Sequence, residues 1–231
     1  MNPMDTAFSL WRALLCAAGG YLIGNIQTAI IVSRAYYHDD VRRHGSRNAG
    51  STNMVRVYGW APGAITFAGD FCKAVGAYFL GTLLMGVYGG YLAGLCTVLG
   101  HCWPVFAGFR GGKGVASSCG LAFCVFPLGA AIALSVGVVI ALLTKKISLM
   151  SLSASLLLAV LGAVLRPEQP LLVLLLFLML AVIYVRHIEN IRRLVHGEET
   201  RLRGPEADGD AGESEGEGEG DTGNPEPTKK T

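Results

Sequence analysis

Residues 114–144 decide the fold of this chain; they read GVASSCGLAFCVFPLGAAIALSVGVVIALLT and contain no charged side chain. About 20 apolar helical residues cross the roughly 30 Å of a bilayer core, so a run of 31 is long for one crossing and short for two. Pro127-Leu128-Gly129 lies at its middle, where proline and glycine interrupt a helix. The run is therefore either one tilted helix or a hairpin of two short helices.

Similar uncharged runs fill most of the chain before residue 186, namely 13–33, 74–100, 147–165 and 169–185. Of the 231 residues, 52% are hydrophobic and 16% are charged, and the mean hydropathy is +0.45. This composition excludes a soluble enzyme with one compact core, a disulfide-stapled secreted module and a coiled coil. We therefore expect an all-α integral membrane helical bundle.

The uncharged runs predict individual helices. Residues 13–33, 147–165 and 169–185 each predict one helix, because each is close to the length of one crossing. The stretch 60–106 is long enough for two, with a turn near Gly89-Gly90. These five helices leave only 114–144 to be assigned.

The distribution of Lys and Arg favours the hairpin. If 114–144 forms two short helices, seven crossings place the segments 34–59, 107–114, 144–147 and 186–203 on one face, and these segments hold 14 of the 19 Lys and Arg. Because basic loops stay in the cytoplasm, that face is predicted to be cytoplasmic and the N-terminus outside. We therefore expect seven transmembrane helices, of which the fourth and fifth are short.

The C-terminal segment 204–231 differs from the rest of the chain. It is rich in Gly, Glu, Asp and Pro, and nine of the 17 acidic residues lie between Glu206 and Glu226. Such a segment cannot bury enough apolar surface to offset the entropy of folding. We predict a membrane domain over 1–203 and a disordered acidic tail over 204–231.

The first basic loop carries a dense polar string with interspersed glycines, whose candidate residues are Ser46, Asn48, Gly50, Thr52, Asn53 and Arg56. A helix that starts near Thr52 would direct its positive end at this loop, and Arg56 would add a fixed charge one turn on. The loop is therefore a candidate phosphate site. The alternative is a capped turn beside an arginine that merely follows the positive-inside rule.

The second loop combines His101 with the glycine-rich string Gly111-Gly112-Lys113-Gly114. Glycines let the backbone approach an anion closely. The string is not a Walker A loop, because the spacing to Lys113 is one residue short and Gly114 stands where Ser or Thr would hold magnesium. His101 is either an interfacial anchor or a functional residue.

Two further polar pairs lie on predicted helices. His187 and Asn190 are three residues apart, so they share a helix face at the cytoplasmic end of the last crossing. Asp70 and Lys73 are also three apart, about 15 Å along a helix from Trp60. Charges at that depth are expensive, so they form either a packing ion pair or a direct substrate contact.

The first loop, the second loop and the segment 184–199, which we call the third loop, can form one site because the charge distribution places them on the same face. An anion-binding pocket above apolar helices suits one phosphorylated polar substrate and one lipidic substrate. A transporter is the rival class, but transporters place charged ligands near the midplane within inverted repeats, and no repeat is visible here. The sequence therefore favours a phospholipid enzyme.

Three ordered strings carry a family resemblance: Gly45-Ser46-x-Asn48-x-Gly50-x-Thr52-Asn53-x-x-Arg56; Gly100-His101-x-x-Pro104-Val105-Phe106 followed by Gly111-Gly112-Lys113-Gly114-Val115-Ala116; and His187-x-x-Asn190-Ile191-x-Arg193-Leu194. They resemble the bacterial acyl-phosphate-dependent glycerol-3-phosphate acyltransferases over residues 20–203. The chain departs from that family at Gly24-Asn25-Ile26-Gln27, where Gly-Ser-Ile-Pro is usual, and at Ala74, where Gly is usual.

The resemblance implies a seven-helix protein of the bacterial inner membrane that transfers an acyl group from acyl phosphate to the sn-1 hydroxyl of glycerol 3-phosphate. Its implied partners are these two substrates and membrane lipid; we expect no cofactor, metal or nucleic acid. It implies catalytic roles for Ser46, Arg56, Lys113, His187 and Asn190. It implies phosphate-binding roles for Asn48, Gly50, Thr52, Asn53, Met54, Gly111, Gly112 and Gly114. We expect supporting roles for His101, Asp70, Lys73, Arg110 and Ser148.

The residues also constrain the mechanism. No histidine of this chain is followed by Asp at the fifth place, so the His-x-x-x-x-Asp dyad of many other glycerolipid acyltransferases is missing. Because acyl phosphate is an activated anhydride, orienting two anions and stabilising developing charge would suffice. The proton acceptor is either the leaving phosphate or His187, whose imidazole titrates near neutrality.

Overall fold

The computed structural model describes residues 3–200, with side chains described from Ser9 onward. The predicted disordered tail lies outside the described residues. The helices are α1 (Pro3–Gly24), α2 (Thr28–Tyr37), α3 (Ser51–Tyr58), α4 (Trp60–Cys102), α5 (Val115–Val125), α6 (Pro127–Thr144), α7 (Ile147–Leu165), α8 (Pro170–Arg186) and α9 (Ile188–Val195), with short 3-10 turns at Val41–Arg43 and Val105–Ala107. No strand occurs between residues 3 and 200, which confirms the all-α class.

Helix α4 is a hairpin of two halves. Met85 and Gly86 leave helical geometry, and Gly86 adopts φ +64°, a conformation that glycine reaches without strain. The Lys73 Nζ and His101 Nδ1 atoms lie 2.9 Å apart although the residues are 28 positions apart. In one straight helix they would be about 42 Å apart. The halves 60–84 and 87–102 therefore run antiparallel, as predicted for two helices in this stretch.

The predicted position of the turn, Gly89-Gly90, was wrong by four residues. Both glycines lie in the second half of α4, where it packs against the first. A Cβ on Gly89 would lie 2.2 Å from the Gly81 carbonyl oxygen, and one on Gly90 would lie 2.4 Å from Thr82 Oγ1. These glycines permit close helix packing, while Gly86 makes the turn.

The first apolar run is also broken, although the sequence predicted a single helix over 13–33. Helix α1 ends at Gly24 and α2 begins at Thr28. The Asn25 side chain donates to the Tyr21 carbonyl at 2.8 Å, and the Gln27 side chain donates to the carbonyls of Gly24 at 3.1 Å and His101 at 3.3 Å. Polar side chains thus satisfy carbonyls at the break, which permits the interruption.

The predicted division of 114–144 into two helices is confirmed. Helix α5 ends at Val125 and α6 begins at Pro127, which occupies the first helical position. Across the described residues, four helical segments are long and apolar enough to cross a membrane, and a fifth if the bent pair α8 and α9 counts as one. One of the four, Trp60–Ala107, contains the α4 hairpin. The count of seven crossings stays a prediction, since α5 has 11 residues and spans only about 16 Å.

The sequence suggested that residues 184–199 continue the last helix, but the structure shows a break at His187. The chain bends by 64° at His187, and α9 leaves in a new direction. The bend turns the Asn190 side chain into the protein, where it is buried, while Val195 at the end of α9 is exposed. This bend brings α9 over the polar end of the bundle.

The helices pack around two apolar cores. The larger is shared by the second half of α4 and helices α5 to α8, and the smaller lies between α2, residue 41 and α3. Outside these cores, large apolar side chains remain exposed; Leu142 and Leu143 of α6 are 73% and 80% exposed. Such an apolar exterior is what lipid contact requires.

Helix α1 packs closely on the second half of α4, and two adjacent glycines test this contact. A Cβ on Gly20 would lie 2.2 Å from the Ala93 carbonyl oxygen, whereas one on Gly19 would have no neighbour within 4 Å. We expect Gly20→Ala to reduce the free energy of unfolding by about 1–3 kcal/mol through overpacking. Gly19→Ala should be neutral or slightly stabilising, because alanine favours a helix. Thermal unfolding in detergent measures both; equal effects would contradict the contact.

Candidate active site

A polar cavity of about 190 Å³ lies where the three basic loops meet. The residues that line it include most of those selected from the sequence: Ser46, Asn48, Gly50, Thr52, Asn53, Arg56, Asp70, His101, Lys113, Gly114, Ser148, His187 and Asn190. These residues come from segments up to 144 positions apart, as the Arg56 to Thr200 hydrogen bond illustrates. The structure thus brings the three predicted clusters into one site.

The Asn53 side chain shapes the first loop. Its Oδ1 accepts a hydrogen bond from the Ser46 backbone N–H at 2.9 Å, and its Nδ2 donates to the carbonyls of Val41, His44 and Asn48, each at 3.1 Å. Asn53 therefore folds the loop around itself. Its amide holds Ser46 and Asn48 in place at the edge of the cavity.

Two helix N-termini meet at the cavity. The first turn of α3, at Ser51 and Thr52, and the first turn of α5, at Val115 and Ala116, both line it. Within the described chain no side chain caps either helix. The unpaired N–H groups and the positive ends of both helix dipoles therefore favour an anion in this cavity.

The glycine-rich loop is held tightly beneath the site. The Gly112 N–H donates to the His101 carbonyl at 3.1 Å, and a Cβ on Gly112 would lie 2.0 Å from His101 Nε2. The Arg186 guanidinium donates to the carbonyls of Gly112 at 3.1 Å and Gly111 at 3.3 Å and lies over the Trp103 ring. Gly111 and Gly112 thus allow the loop to lie against His101, and Arg186 braces it there.

Lys113 is the cation at the centre of the site. Its Nζ donates to Asn190 Oδ1, which links the second loop to the third. Burial, together with the nearby Arg193, Arg186 and Arg56, lowers the pKa of Lys113 to about 8, while Glu199 opposes the shift. A buried ammonium with several cationic neighbours is well suited to receive an anionic ligand.

Glu199 organises the third loop. Its Oε1 accepts hydrogen bonds from Ser148 Oγ and, at 2.6 Å, from Asn190 Nδ2, and its Oε2 accepts from Arg193 Nε at 2.8 Å. Burial raises the pKa of this carboxyl, but the three donors together lower it below its usual value. Glu199 is therefore ionised, and it fixes Asn190 and Ser148 beside Lys113.

His187 occupies the bend between α8 and α9 and lines the same cavity. Its Nδ1 lies 2.8 Å from the Ile183 carbonyl oxygen, which can only accept a hydrogen bond. Nδ1 therefore carries the proton, and Nε2 is the nitrogen left to accept a hydrogen bond from a ligand.

Five of the residues selected from the sequence do not line the cavity. Met54 is 0% exposed and packs in the smaller core, Arg110 is exposed, and Lys73 is buried beside Asp70. Gly111 and Gly112 form the part of the glycine-rich loop that faces His101 and Arg186.

A second, apolar cavity of about 80 Å³ adjoins the first and runs between α5, α6, α7 and α8. The two share the residues Phe67, Val115, Met150 and Ser151. Its deeper wall includes Leu158, Leu176 and Met179 of the larger core. The polar cavity is thus bordered directly by an apolar cleft.

The sequence profile of the glycerol-3-phosphate acyltransferase family matches residues 14–197. Among relatives, the glycerol-3-phosphate acyltransferase of Thermoanaerobacter sp. (strain X514) is 42% identical over 190 residues, covering 82% of this chain and 96% of the relative. That of Clostridioides difficile (strain 630) is 38% identical over 199 residues, covering 84% and 97%. This chain belongs to the glycerol-3-phosphate acyltransferase family.

Solved structures agree with the assignment of this acyltransferase. The crystal structure of PlsY (YgiH), an integral membrane glycerol 3-phosphate acyltransferase, in its glycerol 3-phosphate form has a TM-score of 0.77 and 34% identity, covering 83% of this chain and 96% of that chain. Its lysophosphatidic acid form has a TM-score of 0.74 and 33% identity. The acyltransferase is therefore an integral membrane enzyme, as the sequence predicted.

Sequence reasoning missed two residues that shape the acyltransferase site, Arg186 and Glu199. Arg186 was counted only as a positive-inside charge, and Glu199 lies just before the segment predicted to be disordered. Glu199 lies beyond the end of α9, so no helical spacing in the sequence links it to Asn190.

The pKa of Lys113 sets the pH dependence of anion binding. Below about pH 8 Lys113 carries its proton and attracts phosphate; above it the unliganded protein loses that charge. We therefore expect the affinity for inorganic phosphate to fall by up to about tenfold per pH unit above pH 8. Lys113→Arg should remove this dependence, because arginine stays protonated. An affinity of the wild type that is constant through this range would contradict the role of Lys113.

The contacts of Glu199 predict a stability effect. Glu199→Ala leaves the buried donors of Ser148 and Asn190 unpaired, which should reduce the free energy of unfolding by about 1–3 kcal/mol. The adjacent, exposed Glu198 provides the matched control, and Glu198→Ala should change stability by less than about 0.5 kcal/mol. Thermal unfolding of detergent-purified protein compares the two; equal effects would show that Glu199 does not hold the loop.

Proposed function

We propose that this enzyme transfers a fatty acyl group from acyl phosphate to the sn-1 hydroxyl of glycerol 3-phosphate and releases lysophosphatidate and phosphate, the first step of phospholipid synthesis. The observation that carries the proposal is the junction of the two cavities. The polar cavity provides cations and helix N-termini for phosphate, and the apolar cleft beside it provides room for an acyl chain.

The acceptor is supported by the similar structures. PlsY, which is 34% identical to this chain, is described in a glycerol 3-phosphate form and in a lysophosphatidic acid form. In this chain Ser46, Arg56 and Lys113 line one cavity, where they can hold the phosphate of glycerol 3-phosphate. Asn48, Gly50, Thr52 and Gly114 complete its wall.

The donor is supported by the chemistry of the site. Acyl phosphate carries its own activation in the anhydride bond, so the enzyme needs to align two anions and stabilise charge as it develops. Lys113, Arg56 and the N-termini of α3 and α5 can do this without a covalent intermediate. In the sequence no histidine forms a His-x-x-x-x-Asp dyad, which agrees with a mechanism of positioning.

In the reaction, the sn-1 oxygen attacks the acyl carbonyl carbon and forms the ester bond. The bond from that carbon to the phosphate oxygen breaks, and the transferred proton ends on the released phosphate. His187 is placed to orient the attacking hydroxyl, because its Nε2 accepts while its Nδ1 is bound to the Ile183 carbonyl. Asn190 and Ser148, both fixed by Glu199, hold the substrates against Lys113.

The polar cavity is proposed to open to the cytoplasm of a bacterial cell. Its loops carry most of the Lys and Arg of the chain, which the positive-inside rule assigns to the cytoplasmic face. The N-terminus is then outside, and the acidic tail is cytoplasmic.

An assay of acyl transfer tests this function. Detergent-purified enzyme should form lysophosphatidate from acyl phosphate and glycerol 3-phosphate, but not from acyl-CoA. Lys113→Ala should lower kcat/KM by at least about 100-fold, because it removes a charge-assisted contact from a buried site. Lys146→Ala removes a charge from the neighbouring loop and should retain activity near that of the wild type. Product from acyl-CoA at a similar rate would contradict the donor, and an active Lys113→Ala would contradict the phosphate site.

A further inference from the structure

A buried polar network lies directly under the glycine-rich loop. The Lys73 ammonium lies 2.7 Å from Asp70 Oδ1, 2.6 Å from the Ile26 carbonyl oxygen and 2.9 Å from His101 Nδ1. An ammonium has three N–H groups, and these three atoms provide one acceptor for each. Asp70 Oδ1 also accepts from Thr28 Oγ1 at 3.1 Å. Lys73 and Asp70 thus form a neutral pair, and every donor of Lys73 is used.

This arrangement determines which nitrogen of His101 carries the proton. Because Lys73 donates to Nδ1, Nδ1 must be the bare nitrogen, and a neutral imidazole then carries its proton on Nε2. A second proton would place an imidazolium 2.9 Å from an ammonium in a buried site, which is strongly unfavourable. His101 is therefore neutral and bears an Nε2–H group.

The Nε2–H group lies on the edge of the ring that faces away from Lys73 and towards the glycine-rich loop. His101 lines the polar cavity, and its Nε2 is so close to Gly112 that a Cβ there would lie 2.0 Å away. Gly112 directly precedes Lys113, the cation of the site. The His101 ring thus has Lys73 and Asp70 on one edge and the glycine-rich loop on the other.

We propose that His101 is a hydrogen-bond donor to a phosphate oxygen of the bound substrate, and that Lys73 is the positioning residue that fixes its tautomer. The proposal rests on the proposed function, which supplies the phosphate ligand. It assigns opposite roles to the two histidines of the site. His101 donates through Nε2 and takes no proton, while His187 accepts through Nε2.

The tautomer can be observed directly in the intact enzyme. Protein with ¹⁵N-labelled histidine in detergent should show a His101 ring protonated at Nε2 and bare at Nδ1 at pH 7, with the signal assigned by its loss in His101→Gln. Inorganic phosphate should shift the Nε2–H resonance. A ring protonated at Nδ1 or at both nitrogens would overturn the proposal, as would an unchanged resonance when ³¹P spectra show that phosphate is bound.

Two substitutions separate donation from packing. In His101→Gln the amide NH₂ takes the place of Nε2–H, whereas in His101→Asn the amide oxygen takes the place of Nδ1 and the donor is lost. We expect His101→Gln to keep kcat/KM within about tenfold of wild type and His101→Asn to lose about 100-fold, mostly as a higher KM for glycerol 3-phosphate. The opposite order, in proteins of similar thermal stability, would show that His101 only satisfies Lys73.

Lys73→Met tests the positioning role. Without the ammonium, the nearest polar neighbour of Nδ1 is the Asp70 carboxylate at 3.4 Å, which accepts, so the proton should move to Nδ1. The His101 signal should then change tautomer, and phosphate should no longer shift an Nε2–H. An unchanged tautomer in Lys73→Met would overturn the role of Lys73. If this variant does not fold, the wild-type spectrum and the Gln and Asn pair still decide the proposal.

These experiments distinguish the inference from the proposed function. An Nε2-protonated His101 in an enzyme that neither binds phosphate nor transfers acyl groups would refute the proposed function and leave the donor without its ligand. Normal acyl transfer with an Nδ1-protonated His101 would refute the inference alone.

Discussion

The saturated Lys73 ammonium holds the active-site end of the molecule together. Its three acceptors come from three segments. They are the Ile26 carbonyl at the break between α1 and α2, the Asp70 carboxylate one turn earlier on α4, and the His101 imidazole at the end of the second half of α4. The Asp70 carbonyl also accepts from Ser117 Oγ of α5 at 3.1 Å. A charge this deep in an apolar bundle is tolerated only when fully paired, so its pairing fixes where these segments lie.

Above this network, fixed backbone groups provide part of the positive potential of the site. Two helix N-termini contribute N–H groups that belong to the backbone and need no reorganisation when a ligand arrives. Lys113 and Arg56 add full positive charges. Glu199 pairs with Arg193 and so offsets part of the repulsion between Arg193 and Lys113. The backbone part of this arrangement is preorganised for anions, which suits the proposed transfer from an acyl phosphate.

The sequence predicted the helical class, the division of 114–144 into two helices at Pro127 and the convergence of three loops, because these depend on the length of uncharged runs and on the sidedness of basic residues. It failed where a contact between distant segments decides the conformation. The break before Thr28 depends on a carbonyl that receives Lys73, and the turn at Gly86 depends on how Gly81 and Gly89 pack. The role of Glu199 depends on Ser148, 51 residues away. Local patterns carry no information about such partners.

The contact of Lys73 with the second half of α4 has a consequence for biosynthesis. As the chain leaves the ribosome, Lys73 emerges well before His101, its partner from the returning half. The first half of α4 alone would therefore enter lipid with the Lys73 ammonium only partly paired. If both halves insert together, His101 enters with Lys73 and completes the pairing. The translocon is thus expected to handle residues 60–102 as a single unit and to retain the first half until the second has been synthesised.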